Sequence, residues 1–191
     1  MATFRSWLHF AFAGAALLVA GCVPLLPHTD YVPQMAGGTL LKDRCWGHPS
    51  VEYIGRDITL TSRVIGGPSD PLRLEVMFDI PSGFTVTPRA GVVSVASGDH
   101  NHRDVPIEGI SRNGNPALPM AKAGTMVGYN LNIGGVRSPG HFWLYVPLKG
   151  VDTGDFTVAL PPLEVNGSVA VIPPMHFSKA LRLQVAAPLQ C

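Results

Sequence analysis

The sequence predicts an all-β fold, an immunoglobulin-like antiparallel β-sandwich, and three observations carry that expectation. Apolar and polar residues alternate with period two along several short stretches. Turn chemistry punctuates them: Gly and Pro number 21 and 18 in 191 residues. No amphipathic stretch of useful helical length interrupts them, beyond at most one turn near Pro116–Ala123.

The clearest strand is Leu72, Leu74, Val76, Phe78 and Ile80, alternating with Arg73, Glu75, Met77 and Asp79. Ile58, Leu60 and Val64 alternate with Asp57, Thr59 and Arg63. Val127, Tyr129, Leu131 and Ile133 alternate with Gly128, Asn130 and Asn132, and Leu181, Leu183 and Val185 with Arg182 and Gln184. Shorter strands are expected at Phe84–Thr87, Gly91–Ala96, Gly140–Pro147, Asp155–Leu160 and Val169–Ile172. Asn166-Gly167, flanked by strand residues, is a strong hairpin signal, because both positions of a tight primed turn need positive φ. The antibody pattern of paired cysteines around a tryptophan is missing, so the expectation concerns architecture and not family.

A hydrophobic content of 46% is enough to build a core, which argues against disorder. Charged residues make up only 14%, and the net charge is +1. The charges are scattered singly, without runs. A chain so nearly neutral lacks the electrostatic footprint of a nucleic-acid binder.

The first 21 residues have the layout of an export signal. Arg5 supplies a positive start, Trp7 to Val19 is an apolar stretch, and Ala20-Gly21 is a small-residue cleavage site. Pro24, Pro27, His28 and Asp30 follow too soon for a membrane-spanning helix of roughly 20 apolar residues. The string Leu18-Val19-Ala20-Gly21-Cys22 resembles the lipobox of bacterial lipoprotein precursors, a resemblance confined to residues 1–22. It implies cleavage before Cys22, a diacylglyceryl group on that cysteine, and a chain held on a membrane in the cell envelope. Two or more acyl chains anchor firmly where one binds marginally. Val23, in place of Asp after the cysteine, points to the outer membrane. Removing Arg5 with the leader leaves 13 basic residues (14 − 1) against 13 acidic.

The expected organisation is therefore a signal peptide over 1–21, an acylated cysteine with a Pro/Gly tether over 22–38, and a sandwich domain over 39–191. With Cys22 acylated, Cys45 and Cys191 remain as an even pair in an oxidising compartment and are expected to form a disulfide. That bond would tie the last residue to the start of the domain.

Three features of the sequence bear on chemistry. Asp99, His100, His102 and Asp104 bring imidazoles and carboxylates together at metal-ligand spacing, but the tract comfortably supplies only two of the three or four ligands that zinc needs. Ser97-Gly98 before it reads as a hairpin tip. On His141-Phe142-Trp143-Leu144-Tyr145-Val146, alternation sends Phe142, Leu144 and Val146 one way and His141, Trp143 and Tyr145 the other. Either this is a central strand buried on both faces, which average aromatic burial favours, or it displays a stripe suited to a partner or a glycan. Finally, no nucleophile elbow, zinc-protease helix or phosphate loop is present. Cys45-Trp46-Gly47-His48 reads as half of a disulfide, not as a nucleophile and base. The expected function is a lipid-anchored, non-enzymatic interaction or structural component of an envelope assembly, with no cofactor and with an envelope protein as partner. A glycan- or peptidoglycan-binding module is the alternative, and a metal-binding lipoprotein the next.

Overall fold

The computed structural model describes residues 25–41, 48–55, 57–66, 71–98, 101–112, 124–133, 136–151 and 154–185. Cys22, Cys45, Cys191, Asp99, His100 and the segment Pro116–Ala123 lie outside them. The chain divides into two units, one of residues 29–180 and one of 1–28 with 181–191. Of the second unit the described residues are 25–28 and 181–185, both extended.

Among the described residues every regular element is a strand. In chain order they are β1 Leu25–Met35, β2 Gly38–Leu41, β3 Ser50–Ile54, β4 Thr59–Ile65, β5 Arg73–Ile80 and β6 Thr85–Pro88. Then come β7 Val92–Ser97, β8 Asn101–Pro106, β9 Gly109–Arg112, β10 Met126–Val127 and β11 Asn130–Ile133. The last five are β12 Val136–Pro147, β13 Phe156–Ala159, β14 Leu163–Val165, β15 Ser168–Ala170 and β16 Met175–Val185. They assemble into a five-stranded sheet β1-β16-β13-β7-β8, a four-stranded sheet β10-β6-β14-β15, and a seven-stranded sheet β11-β12-β5-β4-β3-β2 in which β9 also pairs with β12. The fold is all-β and antiparallel, in keeping with a β-sandwich. Its described strands form three sheets, where an immunoglobulin-like sandwich has two.

The alternation that marks the strands in the sequence becomes the inside–outside pattern of the sheets. Leu74, Val76, Phe78 and Ile80 of β5 are fully buried, as are Leu60 and Val64 of β4 to within 1%. They share one core with Val93 and Val95 of β7, Phe156 and Val158 of β13, and Met175 and Phe177 of β16. Phe156 is central: it stacks on Phe177 at 5.2 Å and meets Tyr31 at 5.4 Å. Each such side chain taken from water contributes roughly 1.5–3 kcal/mol, so the inner faces dominate the stability. At Asn166 and Gly167 φ is 48° and 79°, as the hairpin between β14 and β15 requires.

Two expectations are corrected. The stretch expected to be a tether holds β1, and Tyr31 and Met35 are buried at 4% and 9% exposure. Tyr31, Pro33 and Met35 in fact keep period two on the buried side. β1 is a terminal strand of its sheet, and an edge tolerates prolines that cannot donate to a ladder. The strand expected over Val127–Ile133 is broken in two. Met126 is buried and Val127 is 58% exposed. Gly128 causes the break, since its amide donates to the Phe84 carbonyl at 2.8 Å and a Cβ there would fall 2.0 Å from the Pro81 oxygen. The chain thus leaves β6 at Gly128 and joins β12 from Asn130.

Candidate functional site

The register of β3, β4, β5, β12 and β9 sets the outer face of the seven-stranded sheet row by row. Glu75 is opposite Arg63 on β4 and Tyr145 on β12. Met77 is opposite Thr61 and Trp143, and Asp79 is opposite Thr59 and His141. Ser111 of β9 lies across from Trp143. The three residues singled out on the aromatic strand therefore share one face, while Phe142, Leu144 and Val146 are buried beneath it. His141, Trp143 and Tyr145 are half-buried, neither core filling nor an open stripe.

Arginines account for that intermediate burial. The Arg63 guanidinium lies 5.5 Å from the centre of the Trp143 ring, and that of Arg73 lies 4.8 Å from Tyr145. Between them sits the Glu75 carboxylate. Its Oε2 accepts from Arg63 Nε at 3.0 Å and pairs with Nη2 at 2.9 Å, and its Oε1 accepts from Arg73 Nη2 at 2.9 Å. Glu75 is only 5% exposed, so these charge-assisted bonds are what make its burial tolerable. The Tyr145 hydroxyl shares a hydrogen bond of 3.2 Å with Ser111 Oγ. The result is a continuous series, Trp143–Arg63–Glu75–Arg73–Tyr145, spread over three strands. The sequence places Glu75 among solvent-facing residues, and nothing local distinguishes it from Asp79. Only the strand register brings two arginines onto it.

At the end of this series next to Ile65 the surface opens into a cleft of about 760 Å³. The turn between β4 and β5 forms one wall, with Ile65, Gly66, Pro71 and Leu72, and the exit of β12 forms another, with Pro147 and Lys149. His48, Arg63, Arg73 and Glu108 complete the lining. Several bonds fix this frame. Leu148 donates to the Leu72 carbonyl at 2.8 Å, Glu108 donates through its amide to the Tyr145 carbonyl at 2.8 Å, and Arg103 holds the Gly150 carbonyl at 2.8 Å. Gly66 has φ of 114°, and a Cβ there would meet the Pro71 oxygen at 2.7 Å, so the wall depends on a glycine.

Two carboxylate–imidazole pairs stand near. His141 Nδ1 is hydrogen-bonded to Asp79 Oδ1. Thr59 neighbours Asp79 and not His141, so the row reads hydroxyl, carboxylate, imidazole. A nucleophilic relay needs the imidazole in the middle, and this order cannot serve one. His48 Nδ1 lies 3.1 Å from Asp30 Oδ1, and the Asp30 side chain is 1% exposed. His28 stands two positions before Asp30 on β1 and shares its face by alternation.

Of the expected metal cluster, His102 and Asp104 are exposed on β8, opposite Ala96 and Ser94. Alternation puts both on one face of a terminal strand, which gives two ligand types where zinc needs three or four. Asp99 and His100 lie outside the described residues, as do Cys22, Cys45 and Cys191 with their expected acylation and disulfide. Comparison with protein-family models, with curated proteins and with solved structures gave no match.

Proposed function

We propose that this protein is a lipid-anchored binding module of the bacterial cell envelope, non-enzymatic, which presents the outer face of its seven-stranded sheet to a protein partner. The anchoring rests on the lipobox string that ends at Cys22. The binding rests on one observation: the series Trp143–Arg63–Glu75–Arg73–Tyr145, whose rings and guanidiniums are partly exposed around a buried carboxylate, built across three strands and held by ion pairs. Trp, Tyr and Arg are the residue types that carry most energy at protein interfaces, and side chains already fixed lose little freedom on docking. The guanidiniums also speak against the sugar-stacking alternative. Arg63 and Arg73 cover Trp143 and Tyr145, and a sugar ring would need those aromatic faces open.

The test is site-specific photo-crosslinking in intact envelopes. A photoreactive residue at Thr61, in the row of Trp143, should give a discrete crosslinked protein. The same residue at Val171, exposed at 73% and outside the seven-stranded sheet, should not. Trp143→Ala with His141→Ala should abolish the Thr61 product while the protein stays folded and anchored. Equal crosslinking from both positions, or none from Thr61, would overturn the proposal.

A further inference from the structure

We infer that the cleft at the end of the arginine series is a binding site for a small amphiphilic carboxylate, one anionic group on a short apolar body. The charges around the cleft call for an anion. Arg63 and Arg73 share a single carboxylate, Glu75, so one guanidinium charge is uncompensated within the series. Both arginines line the cleft, with side chains 36% and 42% exposed, and Lys149 at the exit of β12 adds a third cation. Among the described residues Glu108 is the one acid in the lining, and with Glu75 it sets three cations against two anions there. One further negative charge balances the site.

Donor geometry points the same way. Glu75 engages Arg73 through Nη2, and on a side chain 42% exposed Nη1 keeps its N–H donors for a ligand. The Arg73 plane is fixed over Tyr145, so its remaining donors are held in the fork that matches a carboxylate. Ile65, Pro71, Leu72 and Pro147 give the cleft an apolar side next to its cations. A volume of about 760 Å³ falls within the range of small-molecule sites, roughly 300–1,000 Å³. An ordinary inorganic anion would leave that apolar side uncovered.

This inference is independent of the partner reading. Loss of the Thr61 crosslink would leave the cleft intact, and an empty cleft would leave the face intact. The experiment is a calorimetric titration of the full chain with hexanoate, acetate and 1-hexanol. Hexanoate is expected to bind at one equivalent. Acetate should be weaker by about fourfold for each methylene that hexanoate buries. Hexanol, with the same body and no charge, should give no saturable binding. Arg73→Gln should weaken hexanoate by about tenfold to a hundredfold, the worth of one charge-assisted hydrogen bond. Lys149→Gln, on an exposed turn, changes the site's charge without touching the core and should weaken it severalfold. Arg112→Gln, at a distant arginine that covers Tyr129, should leave it unchanged. Hexanol binding as well as hexanoate, acetate matching it, or Arg73→Gln and Lys149→Gln both binding normally in folded protein would each overturn the assignment.

Discussion

Replacing Glu75 by Gln keeps the size of the side chain and removes the one negative charge between Arg63 and Arg73. Three contacts at 2.9–3.0 Å join that carboxylate to the two guanidiniums, and the residue is 5% exposed. A hydrogen bond to a charged group is worth roughly 1.5–3 kcal/mol where solvent is excluded. Here the arginines are 36% and 42% exposed and can turn back to water, so the sum is discounted to about one such contact, near 2 kcal/mol. For a chain of this size that lowers the unfolding midpoint by about 4–8 °C. The assay is thermal and urea unfolding of wild type, Glu75→Gln and Glu75→Met side by side. If charge is the cause, Gln and Met lose similar stability. A double-mutant cycle with Arg63→Met should then show coupling of about 0.5–3 kcal/mol. An unchanged midpoint in Glu75→Gln, with zero coupling, would refute the claim that the ion pairs hold this face together.

Phe156→Ala should cost about 3–5 kcal/mol, because a 1%-exposed ring stacked on Phe177 leaves a cavity that β-sheet walls cannot collapse; chemical denaturation measures it. Gly140→Ala should be among the most damaging small changes, since its Cβ would lie 2.1 Å from the Tyr129 ring, and a loss of under about 1 kcal/mol would contradict that packing. Cys22→Ser should abolish incorporation of labelled palmitate and leave the precursor uncleaved; processing at the same bond would sink the lipobox reading. Cys45 and Cys191 should resist alkylation in unreduced mature protein, and mass spectrometry showing both alkylated would exclude their disulfide. Closing a loop of roughly 145 residues is worth about 5 kcal/mol at most.

The strands were legible where both faces of a segment declared themselves. In β5 Leu74, Val76, Phe78 and Ile80 alternate with Arg73, Glu75, Met77 and Asp79, three of them charged, and no helical period fits the same letters. β1 was illegible for a physical reason: Pro33 occupies one of its inward positions, and a proline reads as a break unless the strand is known to lie at an edge. The split at Gly128 was illegible for another. Alternation is blind to which neighbour a strand pairs with, and Gly128 lies where the chain changes partners. Sheet membership is set by contacts far apart in sequence, so the third sheet carried no local mark.

The site shows the same division between local and long-range information. Alternation alone placed His141, Trp143 and Tyr145 on a common face, because that depends on one strand. It left open whether the face was core or surface, and the answer lies on β4 and β5. Arg63 comes from one strand, Arg73 and Glu75 from the next, and the aromatic rings from a third. Along the chain these charges are isolated, which made the sequence look electrostatically featureless. Across the sheet, period two and antiparallel register stack them onto the aromatic strand. Scattered charge in a β-protein is therefore no argument against a charged site. Residues ten to seventy positions apart become neighbours at strand spacing, and a composition of only 14% charged residues can still bring two arginines onto one carboxylate. The uncompensated guanidinium arises in the same way, from two strands bringing two cations to one carboxylate. It is the feature most worth mutating first, since Arg73 joins the stability of the face to the chemistry of the cleft.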